Sequence, residues 1–406
     1  MNDLSRQWSL NRQVDICTSK IFLMRYLFLY SELADYFLAC LHALVETTPN
    51  TECLVLHWPV NPEAPFDLHS VNNVTFQSVA PKLSSTDVAA LVRDFSPDCV
   101  FVSGWIDRRY LRICRQLQLQ CPVVCAIDTW WRGDLRQRLA TTAGRPMFRK
   151  SFSHAWVAGI NQYELACRLG FERQQIQTGL YCADVARFHQ AIELRDAANG
   201  QLLKSDSAIA EPASGSIDAD KKMVAGEHRP TKQKKLLYVG RLVVQKQILE
   251  FARLFGDLKP EQRNGWKLVI RGAGDLSTEF VSSEHLDVGG FVQPSELPTL
   301  AASADAYVLP SKYEPWGVTI HEFAAAGLPI LCSRQCGAAT AFVQDGYNGF
   351  TFDALDEQAM RSKLLELLSL GDERLTRMGQ RSYELSLQNT PELWAAKLLE
   401  LAMREL

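Results

Sequence analysis

Apolar and polar positions follow a repeating rhythm: a short apolar run, a turn residue, then a stretch with apolar residues at every third or fourth position. In the first half, the apolar runs at residues 21–25, 52–58, 99–103, 122–127 and 154–157 read as strands. Helical patterns fill 32–46, 88–95, 108–118 and 162–169. The rhythm restarts at Lys235-Leu236-Leu237-Tyr238-Val239-Gly240 and continues through runs at 266–270, 285–288, 306–309 and 329–332. Strands alternating with helices predict parallel sheets covered on both faces. The pattern therefore predicts an α/β protein of two doubly wound, Rossmann-like domains.

The expected organisation has five parts. A polar tail covers residues 1–19, and a first domain covers 20–189. Residues 190–234 lose apolar periodicity and are rich in Ala, Ser, Asp, Lys and Gly, which reads as a flexible linker or insertion. A second domain covers 235–390, and Pro391-Glu392-Leu393-Trp394 opens a final amphipathic helix over 391–406.

Composition narrows the class without naming a partner. The 406 residues suffice for two ordinary cores, and 47% hydrophobic with 22% charged residues is typical of a soluble globular protein. A net charge of −3 gives no reason to expect a nucleic-acid partner. Eleven scattered cysteines, odd in number and mostly within apolar runs, suit reduced buried thiols in a cytoplasm. Neither Cys nor His clusters at zinc spacing. The first twenty residues lack a signal-peptide core, and the apolar run at 21–30 is short and broken by Arg25.

The chemistry gathers in the second half. Glu314-Pro315-Trp316-Gly317-Val318-Thr319-Ile320-His321-Glu322 places two carboxylates across a loop-to-helix junction behind the strand ending at Pro310. The helix is expected to start at Gly317 and end at Gly327, with Pro329 beyond. Its first N–H groups would face the C-terminal edge of a sheet, a favourable place for phosphate. Upstream, Gly240 ends a strand, and Arg241 and Lys246 follow five residues apart. They are either a diphosphate clamp or solvated loop charges. Arg271-Gly272-Ala273-Gly274 follows another strand, but it lacks the third glycine of a dinucleotide fingerprint and serves equally as a tight strand–helix turn.

These stretches, in this order, resemble the nucleotide-binding half of retaining glycosyltransferases of the family 4 type (glycosyl transferases group 1), which have the GT-B fold. Gly290-Phe291-Val292 before Glu296-Leu297, and Asp345-Gly346-Tyr347-Asn348-Gly349-Phe350, add to the match, which covers about residues 235–355. The resemblance implies that Glu314 binds donor-sugar hydroxyls and Glu322 the ribose. Arg241 and Lys246 would hold the diphosphate and stabilise it as it leaves, helped by N–H groups of Gly317, Val318 and Thr319, with Pro315 and Trp316 also among the donor-binding residues. The base would lie near Phe291 and Val292, while Gly240, Arg271 and Gly272 would complete the donor site. A hydrolase reading of the two acids fits poorly. Eight residues along one helix rise about 12 Å, against the roughly 5–9.5 Å between glycosidase carboxyls. No cofactor and no metal is expected, because fixed cations and N–H groups can meet the leaving-group charge. Asp218-Ala219-Asp220 has the D-x-D spacing of metal-dependent sugar transferases but lies in the polar linker, where chance explains it better.

The first half resembles the family less. Phe28-Leu29-Tyr30-Ser31-Glu32-Leu33 stands where a Gly-rich turn is usual, and Asp128 stands about where many members place a His. Asp128 either contacts the sugar or takes the acceptor proton, or it is a turn or helix-capping residue. Trp130 and Trp131 offer flat faces for an acceptor sugar or belong to the core. Gly179-Leu180-Tyr181-Cys182-Ala183-Asp184 partly matches the family's closing segment of the first domain, and the last helix is expected to pack back on that domain. Arg108, Arg109, Arg112, Arg115, Arg132, Arg136, Arg138, Arg145, Arg149 and Lys150 cluster with only Asp128 and Asp134 opposing them in that span. They are either solvated helix faces or a patch over 108–150 for peripheral contact with a membrane carrying a lipid-linked acceptor.

The sequence thus reads as a metal-independent, retaining glycosyltransferase acting on a nucleotide sugar and a glycan or lipid-linked hydroxyl acceptor, in the cytoplasm or at the inner face of the membrane. The alternatives are a nucleotide-sugar epimerase of the same fold and a non-catalytic scaffold.

Overall fold

A computed structural model describes residues 23–60, 68–79, 83–208 and 233–404, with residues 199–208 as backbone alone. The expected tail 1–19, residues 209–232 of the expected linker, and Asp218 and Asp220 lie outside the described residues.

Two parallel sheets form. The first has strands β1 (Met24–Tyr30), β2 (Thr51–His57), β3 (Val74–Ser78), β4 (Cys99–Val102), β5 (Val123–Ile127), β6 (His154–Val157) and β7 (Ile176–Thr178), in the order β3-β2-β1-β4-β5-β6-β7. The second has β8 (Lys234–Val239), β9 (Trp266–Arg271), β10 (Leu286–Gly289), β11 (Ala306–Leu309), β12 (Ile330–Ser333) and β13 (Gly349–Phe352), in the order β10-β9-β8-β11-β12-β13. In both, the order reverses beside the first strand of the domain, so crossovers leave on opposite sides and open a crevice at the strand C-termini. The central strands β4, β5, β6, β11 and β12 are buried throughout, as sheets covered on both faces require.

The expected strands are present within a few residues of their predicted limits. The sequence reading missed β3, β7 and β13. Strand β3 is a partly exposed edge strand without an apolar run, and β7 has only three residues. Helix Leu135–Arg149 was read only as basic residues; its buried residues are Thr141 and Phe148.

The linker expected from residue 190 is corrected at its start, because helix Val185–Ala208 runs through it. Phe188 and Ala191 on that helix are buried, and its Arg195 donates to Ala301 O and Ala326 O at 3.2 Å each. It therefore ties the first domain to the carbonyl ends of two helices in the second, where a cation is also favoured by the helix dipole. The last helix, Pro391–Met403, packs on the first domain as expected. Trp394 stacks on Trp156 with ring centroids 4.9 Å apart, meets Phe37 edge-on, and donates to Leu180 O at 2.9 Å. Among the described residues, no helix is long and apolar enough to cross a membrane, and the cysteines are free thiols, buried except for half-buried Cys167.

Candidate functional site

A cleft of about 680 Å³ runs between the two sheets' C-terminal edges. Of the predicted residues, Asp128, Arg241, Lys246, Phe291, Val292, Glu314, Pro315, Trp316, Gly317, Val318, Thr319 and Glu322 all line it. A second cavity of about 860 Å³, at Ser153, His154 and Arg404 on the first domain, contains none of them.

The loop from Glu314 to Gly317 is built around a glycine. Gly317 caps helix Val318–Ala325 with φ +88°, a conformation that side-chain-bearing residues rarely adopt. A Cβ there would also lie 2.9 Å from Glu314 Cγ, so the glycine lets the acid fold back over the helix start. Glu314 Oε2 is ion-paired with Lys246 Nζ, and Ser311 Oγ lies 3.4 Å from the same oxygen. The main chain is fixed as well: Glu314 N donates to Gln335 O at 3.0 Å, and Gly337 N donates to Glu314 O at 3.1 Å. Val318 and Thr319, which open the helix, border the cleft, and the Tyr307 hydroxyl sits 2.7 Å from Thr319 Oγ1.

Glu322 is on the same helix but faces the domain seam. Burial pushes its carboxyl up to about 8; Asp35 and Asp184 push the same way, and Arg187 opposes them. Arg187 is ion-paired with Asp35 and, at 3.0 Å, with Asp184. Next to Glu322, His321 is fully buried. Its Nδ1 accepts from Ala183 N at 3.1 Å, which leaves Nε2 to donate to Ser386 O at 2.9 Å. Burial lowers its pKa to about 4, so this ring is a neutral strut between the first-domain exit segment and helix Asp372–Ser386.

Three predicted donor residues stand behind the cleft wall. Gly240 and Gly272 pack back to back, since a Cβ on Gly272 would collide with Gly240 O. Arg271 turns away to Asp287 at 2.9 Å. These positions pack the ends of neighbouring strands β8 and β9 together and are not among the residues that line the cleft.

On the first-domain side, Asp128 follows β5, and its Oδ2 accepts from the Tyr181 hydroxyl at 3.1 Å. Tyr181 meets Tyr36 edge-on at 5.7 Å, and burial raises both phenols, with Asp128 adding to the effect, so both stay neutral donors. The two tryptophans are engaged by protein. Trp130 meets Tyr313 edge-on and donates to Pro315 O, and the Arg168 guanidinium covers Trp131 at 4.3 Å. Sequence reasoning gave no site role to Tyr36, Gln162, Arg187 or His321, because isolated polar residues in helices carry no pattern.

In the basic stretch, Arg109 is paired with Asp107 at 2.7 Å, and Arg145 donates to Arg168 O at 2.9 Å. Helix Leu135–Arg149 nevertheless exposes Arg136 and Arg138 beside Leu135 and Leu139, which are 73% and 64% exposed.

Residues 220–385 match the family model described as Glycosyl transferases group 1. An uncharacterized glycosyltransferase of Methanocaldococcus jannaschii is 34% identical over 125 residues, 29% of this chain and 31% of that protein. Glycogen synthase of Mycobacterium tuberculosis is 30% identical over 159 residues, 37% of this chain and 38% of that protein. The chain thus spans less than two fifths of the length of either relative. Among solved structures, Anabaena HepE in complex with UDP and glucose superposes with a TM-score of 0.65 at 12% identity, over 93% of this chain and 98% of that one. Likeness at that identity shows the fold, which is GT-B, and within it residues 220–385 are similar to the glycosyl transferases group 1.

Proposed function

We propose that the protein is a retaining glycosyltransferase that moves a sugar from a nucleotide-sugar donor to a hydroxyl acceptor. The observation that carries this reading is the convergence of Arg241, Lys246, Glu314, Glu322 and a helix N-terminus on one interdomain cleft. The diphosphate lies between Arg241, Lys246 and the N–H groups of Val318 and Thr319. Its developing charge on departure is met by groups already in place, the kind of stabilisation that lowers a barrier most. With the charge met in this way, the reaction needs no metal ion.

Glu314 neutralises Lys246 in the cleft wall. The arriving diphosphate draws Lys246 toward itself and frees the Glu314 oxygen for a sugar hydroxyl. Glu322 takes the ribose diol, and Phe291 and Val292 border the base. Asp128 faces the sugar from the first domain, with Tyr181 fixing one of its oxygens. Closure of the two domains excludes water from the reacting sugar.

The acceptor is a glycan or lipid-linked precursor presented at a membrane surface. Support comes from helix Leu135–Arg149, which sets exposed leucines between exposed arginines and thus pairs apolar insertion with attraction to anionic headgroups. The protein works in this reading from the cytoplasmic side. The test is a panel of nucleotide sugars scored for binding and for slow release of nucleoside diphosphate. Saturable binding of at least one donor with slow release supports the proposal; no binding across the panel refutes it.

A further inference from the structure

The three carbonyls that follow one another at Glu314, Pro315 and Trp316 are held in different ways. Glu314 O accepts from Gly337 N at 3.1 Å, and Trp316 O accepts from Ala338 N at 2.8 Å, both within the second domain. Pro315 O, between them, is held from the first domain instead. It accepts from Trp130 Nε1 at 2.6 Å and from Gln162 Nε2 at 2.7 Å.

Gln162 is 0% exposed, and the second hydrogen of its amide goes to Asp128 O at 2.9 Å. One side-chain nitrogen therefore joins the main chain of Asp128, on the acceptor side, to the main chain beside Glu314, on the donor side. The arrangement leaves Gln162 Oε1 buried without a hydrogen-bond partner. A buried carbonyl without a partner disfavours folding, so packing alone does not explain a glutamine here. The surfaces around it are fitted closely. A Cβ on Gly159 would lie 2.7 Å from Trp316 Cζ3, and one on Gly337 would collide with Pro315 O.

We propose that Gln162 and Trp130 are positioning residues, which seat the Glu314–Trp316 loop against the Asp128 strand end and so align donor and acceptor sides when the domains close. The role rests on the glycosyltransferase reading above. Neither residue lines the cleft. Their effect passes through Pro315 O to Glu314 on one side and, for Gln162, through Asp128 O on the other. Because both act on one carbonyl, their contributions are coupled rather than independent.

The test uses Gln162→Met, which keeps length but removes both donated bonds, and the milder Trp130→Phe, which keeps an aromatic ring beside Tyr313. Each is compared with the full-length wild-type protein for melting temperature, UDP, GDP and ADP affinity, and steady-state transfer from UDP-glucose, GDP-mannose or ADP-glucose, whichever the wild type accepts. The expected result is nucleoside-diphosphate affinity within about threefold of wild type and a kcat lower by roughly 10- to 100-fold, the range a displacement of about 1 Å produces. The fraction of donor lost to hydrolysis should rise, and the double variant should fall short of the product of the single effects. Wild-type kcat in both single variants overturns the positioning role while leaving the functional reading intact. So does a kcat loss that merely follows parallel losses of affinity and melting temperature. A wild-type protein that binds none of the nucleotides overturns the functional reading itself, and the positioning role with it.

Discussion

Lys246 Nζ and Glu314 Oε2 form an ion pair in the second-domain wall of the cleft, with side chains only 15% and 13% exposed. Each neutralises the other, and under the proposed function each takes a separate role when a donor binds. Lys246→Ala and Glu314→Ala should each lower transfer by about 10²–10³-fold. The fold should survive both. Removing one member leaves the other charge poorly compensated, a loss of about 1–3 kcal/mol at this partial exposure. The double variant Lys246→Met/Glu314→Gln should lose less stability than the two single variants combined, as read by chemical denaturation.

Glu322 should make stability fall as pH rises. Its carboxyl is pushed from 4.5 to about 8, chiefly by burial. Below pH 4.5 the folded and unfolded chains both hold the proton. Between 4.5 and 8 only the folded chain does, so stability declines through this window and the loss is complete above it. Glu322→Gln should flatten that slope and raise the melting temperature at pH 8 relative to wild type, while weakening nucleotide affinity by about tenfold, near 1.4 kcal/mol. Melting curves from pH 5 to 9, with nucleotide titrations at pH 7, check both.

His321 should contribute a slope of opposite sign. Burial depresses its pKa from 6.5 to about 4. The unfolded chain takes up a proton that the folded chain refuses, so stability is lost as pH falls through that interval. His321→Ala removes this dependence but leaves Ala183 N and Ser386 O without their shared partner, for a cost of about 2–4 kcal/mol. Melting temperature against pH separates the two effects.

Gly159→Ala tests the closeness of the interdomain fit. The backbone there is extended and tolerates alanine, but the new Cβ would meet the nearly buried Trp316 ring. The ring must shift at a cost of about 1–3 kcal/mol. Since Trp316 follows Pro315, transfer should fall more than nucleotide affinity does, a comparison that steady-state kinetics and calorimetry make directly.

The exposed helix Leu135–Arg149 predicts salt-sensitive membrane binding. Sedimentation with vesicles of mixed anionic and zwitterionic lipid should show Arg136→Ala/Arg138→Ala binding about tenfold or more weaker, at about 1 kcal/mol for each arginine. Leu135→Ser/Leu139→Ser should weaken it further. Equal binding by all variants removes this surface from the account.

The residues that the sequence revealed are those whose spacing is set by the chain itself. Glu314, Gly317 and Glu322 sit on one strand–loop–helix unit, and Arg241 and Lys246 lie in one turn, so local order alone brought them forward. Gly240, Arg271 and Gly272 belong to the same pattern, yet they hold the ends of β8 and β9 together rather than line the cleft. The first-domain half was much less legible, because Asp128, Gln162 and Tyr181 come from three separate segments that only tertiary packing brings together. Residues 190–208 read as linker since their helix is polar overall; its buried Phe188 and Ala191 and its interdomain Arg195 become visible only against the second domain.

The central claim is that a nucleotide sugar binds between Arg241, Lys246, Glu314 and Glu322. The most direct measurement is isothermal titration of the wild-type protein and Lys246→Ala with UDP-glucose, GDP-mannose and ADP-glucose. The account predicts saturable binding of at least one donor by the wild type and an affinity at least about tenfold weaker in the variant, a difference of about 1.4 kcal/mol. Equal affinities in the two proteins, or no binding of any donor by the wild type, would contradict it.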